Sequence, residues 1–174
     1  MSGTNKIPFF GVDRQYSNLR EEILDTIDTV YSSGQVLDGT FTKNFERTVA
    51  KMTERRYACA VGSCTQALIF SLRAVDNEYF RGQRNKVLIP AQSFVATLNT
   101  VIEAGFDPVF CDVDPQTGLI DFNKIPVQAN EIAAVMYVNL FGNVVDQERL
   151  ISWMEVFSEE KIDRKSTRLN SSHT

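Results

Sequence analysis

The sequence predicts an α/β fold with a largely parallel sheet covered by helices on both faces. Two observations predict it. Short apolar runs without polar alternation, the pattern of strands buried on both sides, alternate with segments whose apolar residues recur every three to four positions. Glycine or a cluster of polar turn residues separates most of these segments from the next.

Taken in order, Pro8 to Gly11 reads as an extended entry segment. Leu19, Ile23, Ile27, Val30 and Tyr31 then recur at helical spacing between Tyr16 and Tyr31, and Ser32-Ser33-Gly34 supplies the stop. A second helix is expected from Thr42 to Met52, with Phe41, Phe45, Val49 and Met52 on one face and Thr40 or Thr42 as its cap. Tyr57 to Val61 reads as a buried strand, Gly62 to Thr65 as a polar turn, and the following residues to Val75 as a helix with Ala67, Leu68, Leu72 and Val75 inward. After a polar loop from Asn77 to Asn85 come the strand Lys86 to Pro90, a helix from Ser93 to Ala104 with Phe94, Leu98, Val101 and Ile102 on its apolar face, and a stop at Gly105. Pro108 to Val113 is the next strand, Asp114 to Gly118 a turn, Ile132 to Leu140 another strand, and Asp146 to Phe157 a last helix. The organisation expected is an N-terminal helical arm over residues 1–55, an α/β domain over 56–162, and a separate tail over 163–174.

The bulk numbers narrow the function. In 174 residues, 43% hydrophobic and 23% charged, the composition is that of a water-facing globular chain. A net charge of -4 offers no attraction to nucleic acid or to an anionic membrane, so neither is expected as a partner. The sequence holds no apolar run of membrane-spanning length and no apolar core after Met1 to Lys6, so a cytoplasmic location is expected. Cys59, Cys64 and Cys111 are odd in number and irregular in spacing, which gives neither a disulfide framework nor a metal-ligand set; Cys59 and Cys111 are expected as small buried residues.

The tail breaks abruptly from what precedes it. Asp163 to His173, D-R-K-S-T-R-L-N-S-S-H, resembles the in-frame translation of a sequencing-library adapter, and is expected not to belong to the natural protein. Without Asp163, Arg164, Lys165 and Arg168 the remainder is more acidic still, and without His173 it contains no histidine. The natural reading frame is expected to continue past Ile162.

Two strand ends carry chemistry. In Val61 to Leu68, V-G-S-C-T-Q-A-L, a strand gives way to a helix whose first N–H groups and dipole suit an anion; Gly62 allows close backbone approach, and Ser63 and Thr65 add hydroxyls. Taken alone, the turn is explained more simply as a Ser or Thr helix cap. In Ile89 to Asn99, I-P-A-Q-S-F-V-A-T-L-N, Ser93 is expected to cap a helix and Phe94 could stack on a planar ligand; taken alone, Phe94 is explained more simply as core. Neither a G-x-G-x-x-G nor a G-x-x-x-x-G-K motif is present, which argues against the common nucleotide-binding folds.

Several segments together, in order, change the weighing. Ile7 to Asp13 (I-P-F-F-G-V-D), Ser33 to Gly39 (S-G-Q-V-L-D-G) followed by Phe45-Glu46, the G-S-C-T-Q-A-L turn, P-A-Q-S-F-V-A-T, and Pro108 to Asp114 with Val138 to Gly142 (V-N-L-F-G) resemble the N-terminal part of the DegT/StrS family of pyridoxal-phosphate-dependent nucleotide-sugar aminotransferases. The resemblance implies an incomplete aspartate-aminotransferase-like large domain (PLP fold type I). It also implies that Ser63, Cys64 and Thr65 hold the phosphate of pyridoxal 5'-phosphate, through backbone N–H groups and the Thr65 hydroxyl, and that Phe94 stacks on its pyridine ring. Gly34 to Gly39 would line the substrate side across a homodimer interface. Two departures stand out: Cys64 replaces a glycine common in the phosphate turn, and Asn139 stands where many members have histidine.

By the same resemblance, the full-length protein would move an amino group from an amino acid, glutamate by expectation, to a nucleotide-linked keto sugar. The lysine that holds the cofactor as a Schiff base and the aspartate that pairs with its ring nitrogen would both lie beyond Ile162; Lys86, Lys124 and Lys161 match neither position. No catalytic residue is therefore assigned in this chain, which is expected to be inactive alone. The alternatives are a dehydratase of the same family, with histidine in place of the lysine, and a non-catalytic ligand-binding relative.

Overall fold

The computed structural model describes residues 8, 10–75, 84–128 and 131–156, the last three by backbone alone. The expected tail 163–174, Lys161, the helix end at Phe157, Phe9 of the entry segment and most of the loop 77–85 lie outside the described residues. The chain divides into two compact units, at Ala60 and Val61.

The first unit holds two helices. Helix α1 (Val12–Ser33) starts earlier than its apolar spacing suggests, so Val12 and Asp13 are helical rather than extended. It ends where expected: Gly34 adopts φ 68°, and its N–H donates to Tyr31 O at 3.1 Å. Helix α2 (Thr40–Met52) follows Gly39, and no threonine side chain caps it, contrary to expectation. Tyr57 to Val61 does not form a strand. Instead the Glu46 carboxylate on α2 accepts the Ala60 N–H at 2.8 Å, and the Arg56 guanidinium lies 5.1 Å from the centre of the Tyr57 ring. Local side-chain partners thus take the role that a neighbouring strand would have filled. Cys59 is exposed here, not buried.

The second unit is the α/β body. After helix α3 (Cys64–Val75), strand β1 (Lys86–Pro90) leads through helix α4 (Val95–Glu103) to strand β2 (Asp107–Cys111). A longer path then reaches strand β3 (Ile132–Val135) and helix α5 (Gln147–Val156). The sheet order is β2-β1-β3, and both pairings of β1 are parallel. The sheet extension expected to Leu140 stops at Val135; Met136 donates its N–H to Leu88 O at 2.8 Å, after which the chain leaves the ladder.

β1 explains why the sheet forms. Val87, Leu88 and Ile89 are all 0% exposed, as befits a parallel strand covered on both sides. Val87 and Ile89 pack with Leu72 of α3, Val101 of α4 and Phe106. Leu88 faces the other way, packing with Cys111, Phe122, Val145 and Leu150, with Trp153 of α5 against them. Helices therefore cover both faces, as the sequence predicts. The Cys111 thiol is buried, and desolvation pushes its pKa up to about 11, with Asp121 and Asp112 adding to the effect, so it is an inert core residue.

The path between β2 and β3 is held by polar contacts. Asp114 accepts the N–H groups of Gln116 and Thr117 at 2.8 and 3.0 Å, closing the expected turn. Lys124 reaches back to Asp112 at 2.9 Å; this bond holds the Asp112 carboxyl below its ordinary range and the Lys124 ammonium above its own.

Candidate functional site

The connectivity opens a crevice. From β1 the chain passes through α4 on one face of the sheet; from β3 it passes to α5 on the opposite face. Neighbouring parallel strands whose connections leave to opposite faces part at their carboxyl ends, and ligands of open α/β sheets bind there. In this chain a cleft of about 530 Å³ lies at that point. Cys64, Thr65 and Leu68 of α3, Phe94, Ala96 and Thr97 after β1, and the stretch Met136 to Gly142 after β3 line it.

The first wall is the start of α3. Ser63 Oγ accepts the Gln66 N–H at 3.2 Å, and Gln66 Oε1 accepts the Gly62 N–H at 3.1 Å. This reciprocal arrangement is a variant of the capping box. The cap reading of Ser63 is thus realised, and Ser63 does not itself line the cleft. A Cβ at Gly62 would stand 2.8 Å from Gln66 Oε1, so a larger residue there would disturb the cap. Cys64 and Thr65 follow in the first turn, where N–H groups point out of the helix and the dipole favours an anion.

The second wall is Phe94. It is not part of the helix but its extended N-cap residue (φ -68°, ψ 142°), and no side chain caps α4 there, so Ser93 is not the cap that was expected. The ring is 74% exposed, which overturns the core reading and leaves it standing at the cleft. The buried side of α4 is also turned from the one expected. Thr97, Thr100 and Val101 are buried, while Ile102 is exposed. Thr100 Oγ1 satisfies itself on Thr97 O at 3.0 Å, which lets a threonine sit at 0% exposure.

The third wall is the segment after β3. Asn139 Oδ1 accepts the Val145 N–H at 3.0 Å, so this side chain holds the loop's shape. Phe141 adopts φ 57°, ψ 21°, a left-handed conformation costly for a bulky residue, and is 83% exposed. Tyr137 lines the cleft and packs partly buried against the Leu88 core, and desolvation raises its pKa, so its phenol is neutral.

Cys64, Thr65 and Phe94 therefore meet in one cleft, although about thirty residues separate the turn from the ring. Thr97, Tyr137 and Phe141 were not singled out from sequence; the signal available was their closeness to the strand ends. Among the described residues, no lysine or carboxylate lines the cleft. Lys86 lies at the opposite end of β1, with Nζ 3.0 Å from both carboxylate oxygens of Glu131, and Lys124 is paired with Asp112. Among the described residues, no group of His, Cys, Asp and Glu is placed to hold a metal ion, and no helix is long and apolar enough to cross a membrane.

Comparison with known proteins gives a consistent result. Residues 17–155 match the family model described as DegT/DnrJ/EryC1/StrS aminotransferase family. The 3-oxo-glucose-6-phosphate:glutamate aminotransferase of Bacillus subtilis (strain 168) is 32% identical over 148 residues, which cover 84% of this chain and 33% of that protein. Among solved structures, DesV of S. venezuelae in complex with a ketimine intermediate superposes with a TM-score of 0.75 at 24% identity, covering 88% of this chain and 40% of the other. The PLP-form of Spr1654, a sugar aminotransferase assignment from Streptococcus pneumoniae, superposes with a TM-score of 0.65 at 26% identity, covering 76% and 33%. The chain spans about a third of the length of the curated relatives it matches.

Proposed function

This chain belongs to the DegT/DnrJ/EryC1/StrS aminotransferase family, and from that membership we propose that its cleft holds pyridoxal 5'-phosphate for amino-group transfer to a keto sugar carrying a phosphate or a nucleotide. The observation that carries the reading is the meeting of Cys64, Thr65 and Phe94 in one cleft at the carboxyl ends of β1 and β3. A phosphate held at the start of α3 and a planar ring lying on an exposed aromatic are what those residue types supply.

In this reading the backbone N–H groups of Cys64 and Thr65, with the Thr65 hydroxyl, bind the phosphate, while Ser63 closes the helix end beside them. Among the described residues no cationic side chain lines the cleft, so the helix dipole, the N–H donors and the Thr65 hydroxyl are what this wall offers an anion. Cys64 in place of glycine leaves the N–H donor intact. Phe94 fixes the plane of the ring, and Tyr137, as a neutral phenol, adds a hydrogen-bonding group without charge. Asn139 keeps the wall after β3 in place. When bound, pyridoxal phosphate supplies an electron sink for the carbon that carries the amino group.

The amino donor we propose is glutamate, the donor that the Bacillus subtilis relative's name gives for that protein. The whole protein is proposed to act as a homodimer, with Gly34 to Gly39 on the substrate side. The 174-residue chain on its own is proposed to bind the cofactor without covalent attachment and without turnover, because the described lysines of the second unit are paired away from the cleft: Lys86 with Glu131 and Lys124 with Asp112.

The test is a titration with one equivalent of pyridoxal phosphate, followed by borohydride reduction and intact-mass analysis. Saturable quenching or an absorbance shift with no stoichiometric mass gain is the expected result. Stoichiometric reduction onto a single lysine would overturn the non-covalent reading, and absence of any saturable signal would overturn the cofactor reading itself.

A further inference from the structure

Thr97 has no explained role in the fold. It is 6% exposed, yet among the described residues its hydroxyl has no hydrogen-bond partner; only its backbone groups are engaged, with the N–H donating to Phe94 O at 2.9 Å and the carbonyl accepting from Thr100 Oγ1 at 3.0 Å. At the same time, no sealed side-chain nitrogen or oxygen among the described residues is left without a partner. The Thr97 Oγ1 atom must therefore reach open space, and Thr97 lines the cleft. A nearly buried hydroxyl that forgoes the usual bond to its own helix and opens into a cavity is a donor and acceptor awaiting a partner.

We propose that Thr97 is a ligand-contacting residue, its hydroxyl hydrogen-bonding a polar ring substituent of the planar ligand that stacks on Phe94. Thr97 follows Phe94 by three residues, so the two belong to one wall of the cleft: the exposed ring presents a face, and the hydroxyl lies at the buried side. One fixes the plane of the ligand, the other its rotation within that plane. The same wall explains the threonine itself, since valine would fill the space equally well and avoid an unpaired hydroxyl. The inference rests on the reading of the cleft as a pyridoxal-phosphate site.

The experiment compares the wild-type chain with Thr97→Val, Thr97→Ser and Phe94→Ala, measuring the dissociation constant for pyridoxal phosphate by absorbance and the thermal midpoint without ligand. Thr97→Val keeps the shape and removes the hydroxyl; it is expected to weaken binding by about five- to twentyfold, with a thermal midpoint at or above that of the wild type. Thr97→Ser keeps the hydroxyl and is expected to bind within about twofold of the wild type. Binding by Thr97→Val equal to the wild type, while Phe94→Ala loses it, overturns the role of Thr97 and leaves the cofactor reading standing. Equal weakening in the valine and serine variants, or a lower midpoint for valine, assigns the residue to packing and also overturns the proposal. A wild-type chain that binds nothing removes the cofactor reading, and the proposal with it.

Discussion

Single residues at the cleft carry costs that the fold does not need. Phe141 is the clearest case. Its left-handed backbone (φ 57°, ψ 21°) is roughly 1–2 kcal/mol unfavourable for such a residue, and at 83% exposure its ring recovers little by burial. The conformation persists because both flanks are tied: Asn143 N–H donates to Leu140 O at 3.0 Å, Asn143 Nδ2 donates to Thr117 O at 2.7 Å, and Asn139 holds Val145. Phe141→Asn, which suits the left-handed region, is expected to stabilise the chain by about 0.5–1 kcal/mol in urea unfolding while weakening the cleft's hold on a ligand. A loss of stability instead would mean that the ring packs in solution against something that stabilises it.

At the scale of elements, the start of α3 has two jobs. Ser63 and Gln66 close the helix end, while Cys64, Thr65 and Leu68 reach the cleft. Ser63→Ala is expected to cost about 0.5–2 kcal/mol of stability, read as a lower midpoint in denaturant, with a smaller effect on ligand affinity than Phe94→Ala. The opposite ranking would place the Ser63 side chain in the binding site. The elements also mark what could be read from the sequence. The long helices, the stop at Gly34 and the strand β1 were legible because period and end signals agreed. Tyr57 to Val61 was misread because an apolar run says nothing about whether a neighbouring strand is there to pair with it, and Glu46 takes its backbone instead. In α4 the apolar spacing pointed to Phe94 and Ile102. The helix begins one residue after Phe94, and a threonine bonded to its own backbone can be buried as completely as valine. Ser63, Thr65 and Phe94 were legible as candidates from their places at strand ends, and the resemblance turned the weighing from cap and core toward ligand contact; Cys64 was added as a phosphate holder by the resemblance. Thr97 was not, because a missing hydrogen bond has no sequence signature.

Across the whole molecule, apolar surface is distributed unevenly. Within the first unit, Ala50 is the only buried residue described, while Tyr16, Leu19, Ile23 and Ile27 form an exposed stripe along α1. In the second unit, β2 and β3 are the edges of a three-stranded sheet, and Phe110 on β2 is half-exposed. A net charge of -4 over 174 residues opposes association only weakly. The chain is expected to self-associate with rising concentration in sedimentation velocity, and Ile27→Glu to reduce that association. A concentration-independent monomer would show that the stripe does not act as a contact surface.

The crevice between β1 and β3 exists because the chain departs from the two strands in opposite directions, and this has a consequence for how the protein can change. A cavity carved by side chains closes when those side chains grow, whereas one created by the route of the backbone remains open whatever lines it. The residues that anchor the sheet, Val87, Leu88 and Ile89, are different from those that line the cleft, Thr65, Phe94 and Thr97 among them. Heritable variation can therefore retune what is recognised without renegotiating how the chain folds, so one architecture can serve chemically different ligands by exchanging only its lining.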